Sequence, residues 1–150
     1  MEKFQPRRGP PHTRPGWVSP NDPLFITFAS NPRNLNQLAN PRAWEMLQHA
    51  CLHLESLGRW HPQLILAMPD HVHLVAQVPA GVEIRKIIAS IKRALTRECG
   101  IQWQRDFFDH RPRNKEGLTS TRDYILMNPV RKGLSSTPAE WPYKWRSSHI

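Results

Sequence analysis

Between residues 24 and 108 the spacing of apolar side chains alternates between two periods. The order of those changes limits what this chain can fold into. Leu24-Phe25-Ile26-Thr27-Phe28-Ala29 is a short β-rich run and reads as a first strand. The segment NPRNLNQLANP is a polar loop. From about Arg42 the apolar residues Trp44, Leu47, Cys51 and Leu54 recur at three- and four-residue steps, the period of an amphipathic helix, and Gly58 is a stop signal. Trp60 to Met68 reads as a second strand, Pro69-Asp70 as a tight turn and His71 to Val78 as a third strand, so the two strands form a hairpin.

After the break at Pro79-Ala80-Gly81, the residues Ile84, Ile87, Ile88, Ile91 and Leu95 mark a second amphipathic helix. Its other side carries Arg85, Lys86, Lys92, Arg93 and Arg97, and Gly100 ends it. Ile101 to Phe108 is a fourth strand, although Gln104-Arg105-Asp106 interrupts it. The order β-α-β-β-α-β is that of a ferredoxin-like split-βαβ sheet, an antiparallel α+β fold with both helices on one face. The other face is then open to a site or to a third helix.

That third helix is expected from about Leu118 to Asn128, capped by Thr119 or Ser120. The Asn128-Pro129 step should end it, because a proline disfavours the α conformation in the residue before it. The tail Trp141-Pro142-Tyr143-Lys144-Trp145 is aromatic and is expected to pack back on the domain. Residues 1 to 23 hold six prolines and the basic side chains Lys3, Arg7, Arg8 and Arg14, with almost no apolar periodicity. They read as an irregular arm, either lying along a phosphate backbone or serving as a plain tail. Residues 24 to 150 then form a single domain, as expected for a chain of 150 residues.

Charge narrows the choice of partner. Lys and Arg number 21 against 12 Asp and Glu, a formal charge of +9. That balance favours a polyanion, nucleic acid above all, over a merely solvated basic surface. No apolar run approaches the roughly 18 residues of a membrane span, and the N-terminus has no apolar signal core, so a cytoplasmic protein is expected. Cys51 and Cys99 are too few for a disulfide framework and fall on apolar helix sides, where they read as small buried hydrophobes.

The chemistry is concentrated in MPDHVHL, residues 68 to 74. In a strand His71 and His73 share one face and Val72 points to the other. This is either a half-polar surface strand or half of a metal site, since two imidazoles at that spacing can converge on one divalent ion. On the third helix, Tyr124 and Asn128 are four apart and share a face. Asn128 can supply an amide oxygen to a cation, and Tyr124 would stand one turn away. Alternatively, Tyr124 is a helix residue with its ring in the core and its hydroxyl at the rim. His49 and His53 also share a helix face, but Cys51 between them points elsewhere, which disfavours a structural zinc. His110, in FFDHR, reads as a structural or backbone-contacting histidine.

The segments MPDHVHL, IASIKRAL, RDFFDHRPR, DYILMNPVRKGL and WPYKWRSS, in this order, resemble the HUH single-strand transposases of the IS200/IS605 class. The resemblance runs over roughly residues 17 to 148 and is closest to the branch called REP-associated tyrosine transposases. It implies a ferredoxin-like (RRM-like) sheet carrying a tyrosine helix, in agreement with the order read from periodicity. By this resemblance His71 and His73 match the HUH histidines, Tyr124 the nucleophile and Asn128 the third ligand of Mg²⁺ or Mn²⁺, a position where other branches carry glutamine. It also implies DNA contacts by Lys92 and Arg93 of the basic helix and by Arg111 and Arg113; Arg131 and, in the basic arm, Arg7, Arg8 and Arg14 are further expected DNA contacts. Pro112 departs from the family, which more often has an apolar residue such as leucine there. The implied partner is single-stranded DNA with a hairpin, and either a monomer or a homodimer is compatible.

Three functions follow as expectations. The first is a metal-dependent strand transferase that cuts and rejoins DNA through a 5′-phosphotyrosine. The second is a non-catalytic RRM-like module for single strands or hairpins, which stacking and backbone contacts would suffice to build. The first is favoured because a module has no need of HVH, Tyr124 and Asn128 together. A small metal-dependent hydrolase is the weakest, because no carboxylate cluster accompanies the histidines.

Overall fold

The computed structural model describes residues 22–112 and 114–148. Five strands form one antiparallel sheet: β1 (Leu24–Ser30), β2 (His61–Ala67), β3 (His71–Gln77), β4 (Trp103–His110) and β5 (Lys144–Arg146), in the order β4-β1-β3-β2-β5. The first four follow the ferredoxin-like order expected from the sequence. Helices α1 (Pro41–Ser56) and α2 (Ile84–Cys99) cover one face. The start of α1 and the end of α2 each have a local reason. Asn40 caps α1 through Oδ1, which accepts the Ala43 N–H at 3.0 Å. Gly100 ends α2 at φ +69°, a left-handed conformation that glycine adopts without steric cost.

Side-chain alternation sorts the sheet residues. Leu24, Ile26 and Phe28 of β1, Ile65 and Ala67 of β2, and Val72, Leu74 and Ala76 of β3 point under the two helices. There they meet Leu47 and Cys51 of α1 and Ile84, Ile87, Ile88, Ile91 and Leu95 of α2. Cys51 is fully buried, and burial pushes its thiol up. Cys99 is half-buried, and neither cysteine is in a disulfide.

The opposite face carries a smaller apolar cluster of Phe25, Leu64, Leu66, Met68 and Val75. It is closed by Ile125 of the third helix and by Trp141, whose indole N–H donates to the Ala67 carbonyl at 3.0 Å. The aromatic tail therefore packs back as expected, and it also adds β5, which pairs with β2 through Leu64↔Arg146 and Leu66↔Lys144.

The third helix differs from expectation at both ends. It runs as α3 from Lys115 to Leu126, with Asn114 as its cap, whose Oδ1 accepts the Gly117 N–H at 2.8 Å. Thr119 and Ser120 lie inside it. After Met127 the chain enters a further turn, α4 (Asn128–Arg131). Pro129 does not stop the chain there, because it sits in the first turn of α4, where a missing N–H loses no hydrogen bond. Strand β4 begins two residues later than expected, and its polar Gln104, Arg105 and Asp106 are tolerated because it is at the edge of the sheet among the described residues, with β1 as its neighbour.

Candidate active site

The register of the sheet sets the site. Thr27 of β1 lies opposite His73 and Ala29 opposite His71, on the face away from α1 and α2. The two imidazoles meet edge to face, with centroids 4.8 Å apart. Each ring is held by its Nδ1. His73 Nδ1 lies 3.0 Å from the Thr27 hydroxyl oxygen, and His71 Nδ1 lies 2.8 Å from Asp70 Oδ1. Asp70 is itself fixed by Arg33 Nε at 2.9 Å and by the Asn34 N–H at 2.9 Å. The His71 hydrogen bond, with Arg33 and the Asn34 amide adding to it, holds the Asp70 carboxyl well below the usual carboxylate range.

Proton positions on the buried ring follow from donor chemistry. Asn128, 3 % exposed, places its amide nitrogen 2.9 Å from His73 Nε2 and its Oδ1 2.6 Å from Arg131 Nη2. A guanidinium can only donate, so the atom facing Arg131 is the amide oxygen and the amide NH₂ faces His73. His73 Nε2 is then an acceptor, and Nδ1 carries the proton and donates to Thr27. Burial first, and then the charges of His71 and Arg131, push the His73 pKa well below its ordinary value. A neutral ring with its Nε2 lone pair turned inward is the form that binds a metal, and a hydrogen-bonded Nδ1 is the usual support for such a ligand.

Arg131 ties the tyrosine to this group. Its Cζ lies 3.5 Å from the Tyr124 ring centroid, and Nη2 also donates to the Tyr124 carbonyl at 2.5 Å. Tyr124 is half-buried near the end of α3, and Asn128 opens α4. The four-residue separation thus works across a helix junction rather than along one helix. His71, His73, Asn128, Tyr124 and Arg131 come together on the open sheet face.

The other predicted residues are placed elsewhere. Lys92 and Arg93 lie on α2, on the far side of the sheet. The Lys92 ammonium donates to the Gln104 carbonyl at 3.0 Å and lies 3.5 Å from the Asp106 carbonyl oxygen, and burial lowers its pKa. It braces α2 against β4. Arg93 donates to the Ser90 hydroxyl at 3.2 Å. Arg111 is half-buried just after β4. Arg7, Arg8, Arg14 and Arg113, and the expected N-terminal arm up to residue 21, lie outside the described residues. His110 ends β4 with its ring 6.4 Å from that of Phe25, and His49 and His53 stack at 6.2 Å on α1.

Sequence reasoning missed Asp70 and Thr27. Asp70 directly precedes the histidine pair, which is a local signal, but the role of Thr27 depends on a pairing 46 residues away. Among the described residues no cluster of three or more His, Cys, Asp or Glu could hold a metal. The chemistry of the donor set nonetheless fits a divalent ion: two imidazoles with supported Nδ1 atoms, and an amide whose oxygen would be the third donor.

No family model matches the chain. A REP-associated tyrosine transposase of Escherichia coli (strain K12) is 28% identical over 119 residues, covering 77% of this chain and 72% of that protein. A Haemophilus influenzae protein, a candidate member of the same family, is 33% identical over 97 residues, covering 53% of this chain and 54% of its own length. Among solved structures, a REP-associated tyrosine transposase bound to a REP hairpin superposes with a TM-score of 0.74 at 26% identity, over 89% of this chain and 81% of that one. A Deinococcus radiodurans protein described as a candidate transposase shares the fold, with a TM-score of 0.52 at 16% identity over 75% of this chain and 94% of that one. The chain is therefore similar, in sequence and in fold, to tyrosine transposases. Both curated relatives and the better-matching of these two structures carry the REP-associated name, so the similarity is to that branch.

Proposed function

We propose that this protein is a metal-dependent single-stranded DNA endonuclease and strand transferase, acting beside hairpins through a 5′-phosphotyrosine on Tyr124. The observation that supports this most is the convergence of the His71–His73 pair, Asn128 and Tyr124 on the one sheet face that α1 and α2 leave open. His71, His73 and Asn128 would hold Mg²⁺ or Mn²⁺. Such an ion, when bound, polarises phosphate oxygens and orients the phosphorus for in-line attack. The chain's own groups do the rest. Thr27 and Asp70 keep the two rings in register. Trp141 and Ile125 anchor the helix that carries the nucleophile.

The Tyr124 hydroxyl attacks the phosphorus, its proton leaves to solvent, and the bond to the 3′ oxygen breaks. The products are a tyrosyl 5′-phosphodiester and a free 3′-hydroxyl. Because the link conserves the phosphodiester, a 3′-hydroxyl from the same or a second strand can reverse the step and rejoin DNA. The +9 charge suits such a substrate, and among the described residues no helix is long and apolar enough to cross a membrane. The solved relative's hairpin ligand supports a DNA hairpin as the substrate; an adjacent single-stranded tag and a cytoplasmic setting belong to the same proposal.

The test is a denaturing gel with labelled hairpin DNA and Mn²⁺. Label at protein size, absent for Tyr124→Phe and in EDTA, is the expected result. No adduct on a hairpin that the protein binds would instead favour the RRM-like binding module.

A further inference from the structure

We infer that Arg131 is an interlock. Its guanidinium withholds the amide oxygen of Asn128 and covers the ring of Tyr124 until a phosphate oxyanion draws it away, so that a DNA strand and a divalent cation bind cooperatively. This deepens the reading of the site given above and rests on it.

The orientation of one amide carries the argument. Asn128 turns its NH₂ toward His73 Nε2 at 2.9 Å and gives its oxygen to Arg131 at 2.6 Å. Only the oxygen can serve a cation beside the two imidazoles. To present it, the amide must turn over. The turned amide would then aim two N–H groups at a guanidinium that has no acceptor. Arg131 and a cation therefore compete for the same side chain, and their like charges add to the opposition. The same guanidinium lies 3.5 Å from the Tyr124 ring centroid, so its departure uncovers the nucleophile's ring as well.

What could displace it is limited by its present partners. Arg131 holds two neutral carbonyl-type oxygens, Tyr124 O and Asn128 Oδ1. An ionised phosphodiester accepts stronger, bidentate hydrogen bonds from guanidinium than neutral oxygens do. Arg131 is exposed, so an incoming strand reaches it before the buried amide. By linkage, an anion that removes the competitor tightens the cation, and the cation tightens the strand by the same factor.

Calorimetric titration of the full chain with Mn²⁺ alone tests this, with and without a single-stranded oligonucleotide lacking a cleavable tag. The wild type is expected to bind Mn²⁺ about ten-fold more tightly with the oligonucleotide, the size of one charge-assisted hydrogen bond. Arg131→Met is expected to bind Mn²⁺ at the tighter level without DNA and to gain little on adding it. Thermal unfolding of the variant checks that it is folded, and Arg131→Lys, which keeps the charge but not the fork, should fall between the two. A folded Arg131→Met that binds Mn²⁺ no better than wild type would overturn the interlock. If Mn²⁺ binding were indifferent to His73→Ala, the cation-site reading itself would fail, whatever Arg131 does.

Discussion

The two faces of this sheet are built from the same strands and have opposite characters. Under α1 and α2, every inward position of β1, β2 and β3 in the core cluster is apolar and buried. On the other face, apolar packing is confined to the cluster under Ile125 and Trp141, and the row then turns polar at Thr27, His73 and His71. The helix-covered face supplies stability, since contiguous apolar burial is the main favourable term in folding. The open face uses the rigidity so gained to hold polar side chains in fixed orientations. His73 illustrates the division: it is 6 % exposed, yet its hydrogen-bond partners belong to the site. The faces should therefore separate under mutation, one set of changes altering folding and the other altering chemistry.

The largest separation is expected for Tyr124→Phe. It should lower covalent adduct formation by on the order of 10⁴-fold, while urea unfolding shifts by less than about 0.5 kcal/mol. An adduct persisting in this variant would break the comparison outright. The reciprocal change is Ile91→Ala, deep under α2. It should cost about 2–5 kcal/mol of stability and leave strand transfer per folded molecule unchanged. A specific loss of transfer at full folding would show that the two faces are coupled.

Asp70→Asn should act at intermediate scale. It removes the charge that holds His71 Nδ1 and should weaken Mn²⁺ about 10–100-fold in calorimetry. An unchanged affinity would mean that the sheet alone orients the ring.

The smallest effect is a pH slope. Burial holds folded His73 well below its ordinary pKa, so the unfolded chain takes up that proton first as the pH falls. The stability this neutral ring contributes is fully present above the unfolded value near 6.5 and is lost as the pH falls toward the depressed folded value. The slope should reach at most about 1.4 kcal/mol per pH unit. Urea midpoints in EDTA between pH 8 and 5 would measure it, and His73→Gln should flatten it. A slope that survives the substitution would place the buried proton site elsewhere.

The parts of the fold legible in the sequence are those with enough residues to show a period. Ile84 to Leu95 covers three turns, and the strands around MPDHVHL have a turn signal between them. Strand β5 was not legible, because three residues after Pro142 show no alternation and their pairing with Leu64 and Leu66 is a tertiary fact. The start of α3 was hidden because Asn114 and Gly117 look like loop residues until the cap between them is seen. In the site, the spacing of His71 and His73 and of Tyr124 and Asn128 could be read directly. Thr27 could not, since only the β1–β3 register brings it to His73. The basic stripe of α2 does not by itself reveal that the Lys92 ammonium turns back onto the β4 carbonyls.

The central claim is that the open face aims one particular phenol at DNA, and the chain has only two tyrosines, Tyr124 and Tyr143. The most direct measurement is mass spectrometry of the covalent adduct after nuclease trimming and trypsin digestion. The account predicts the nucleotide remnant on the peptide from Asp123 to Arg131, which contains Tyr124. A remnant on the peptide containing Tyr143, or on any other residue type, would contradict it.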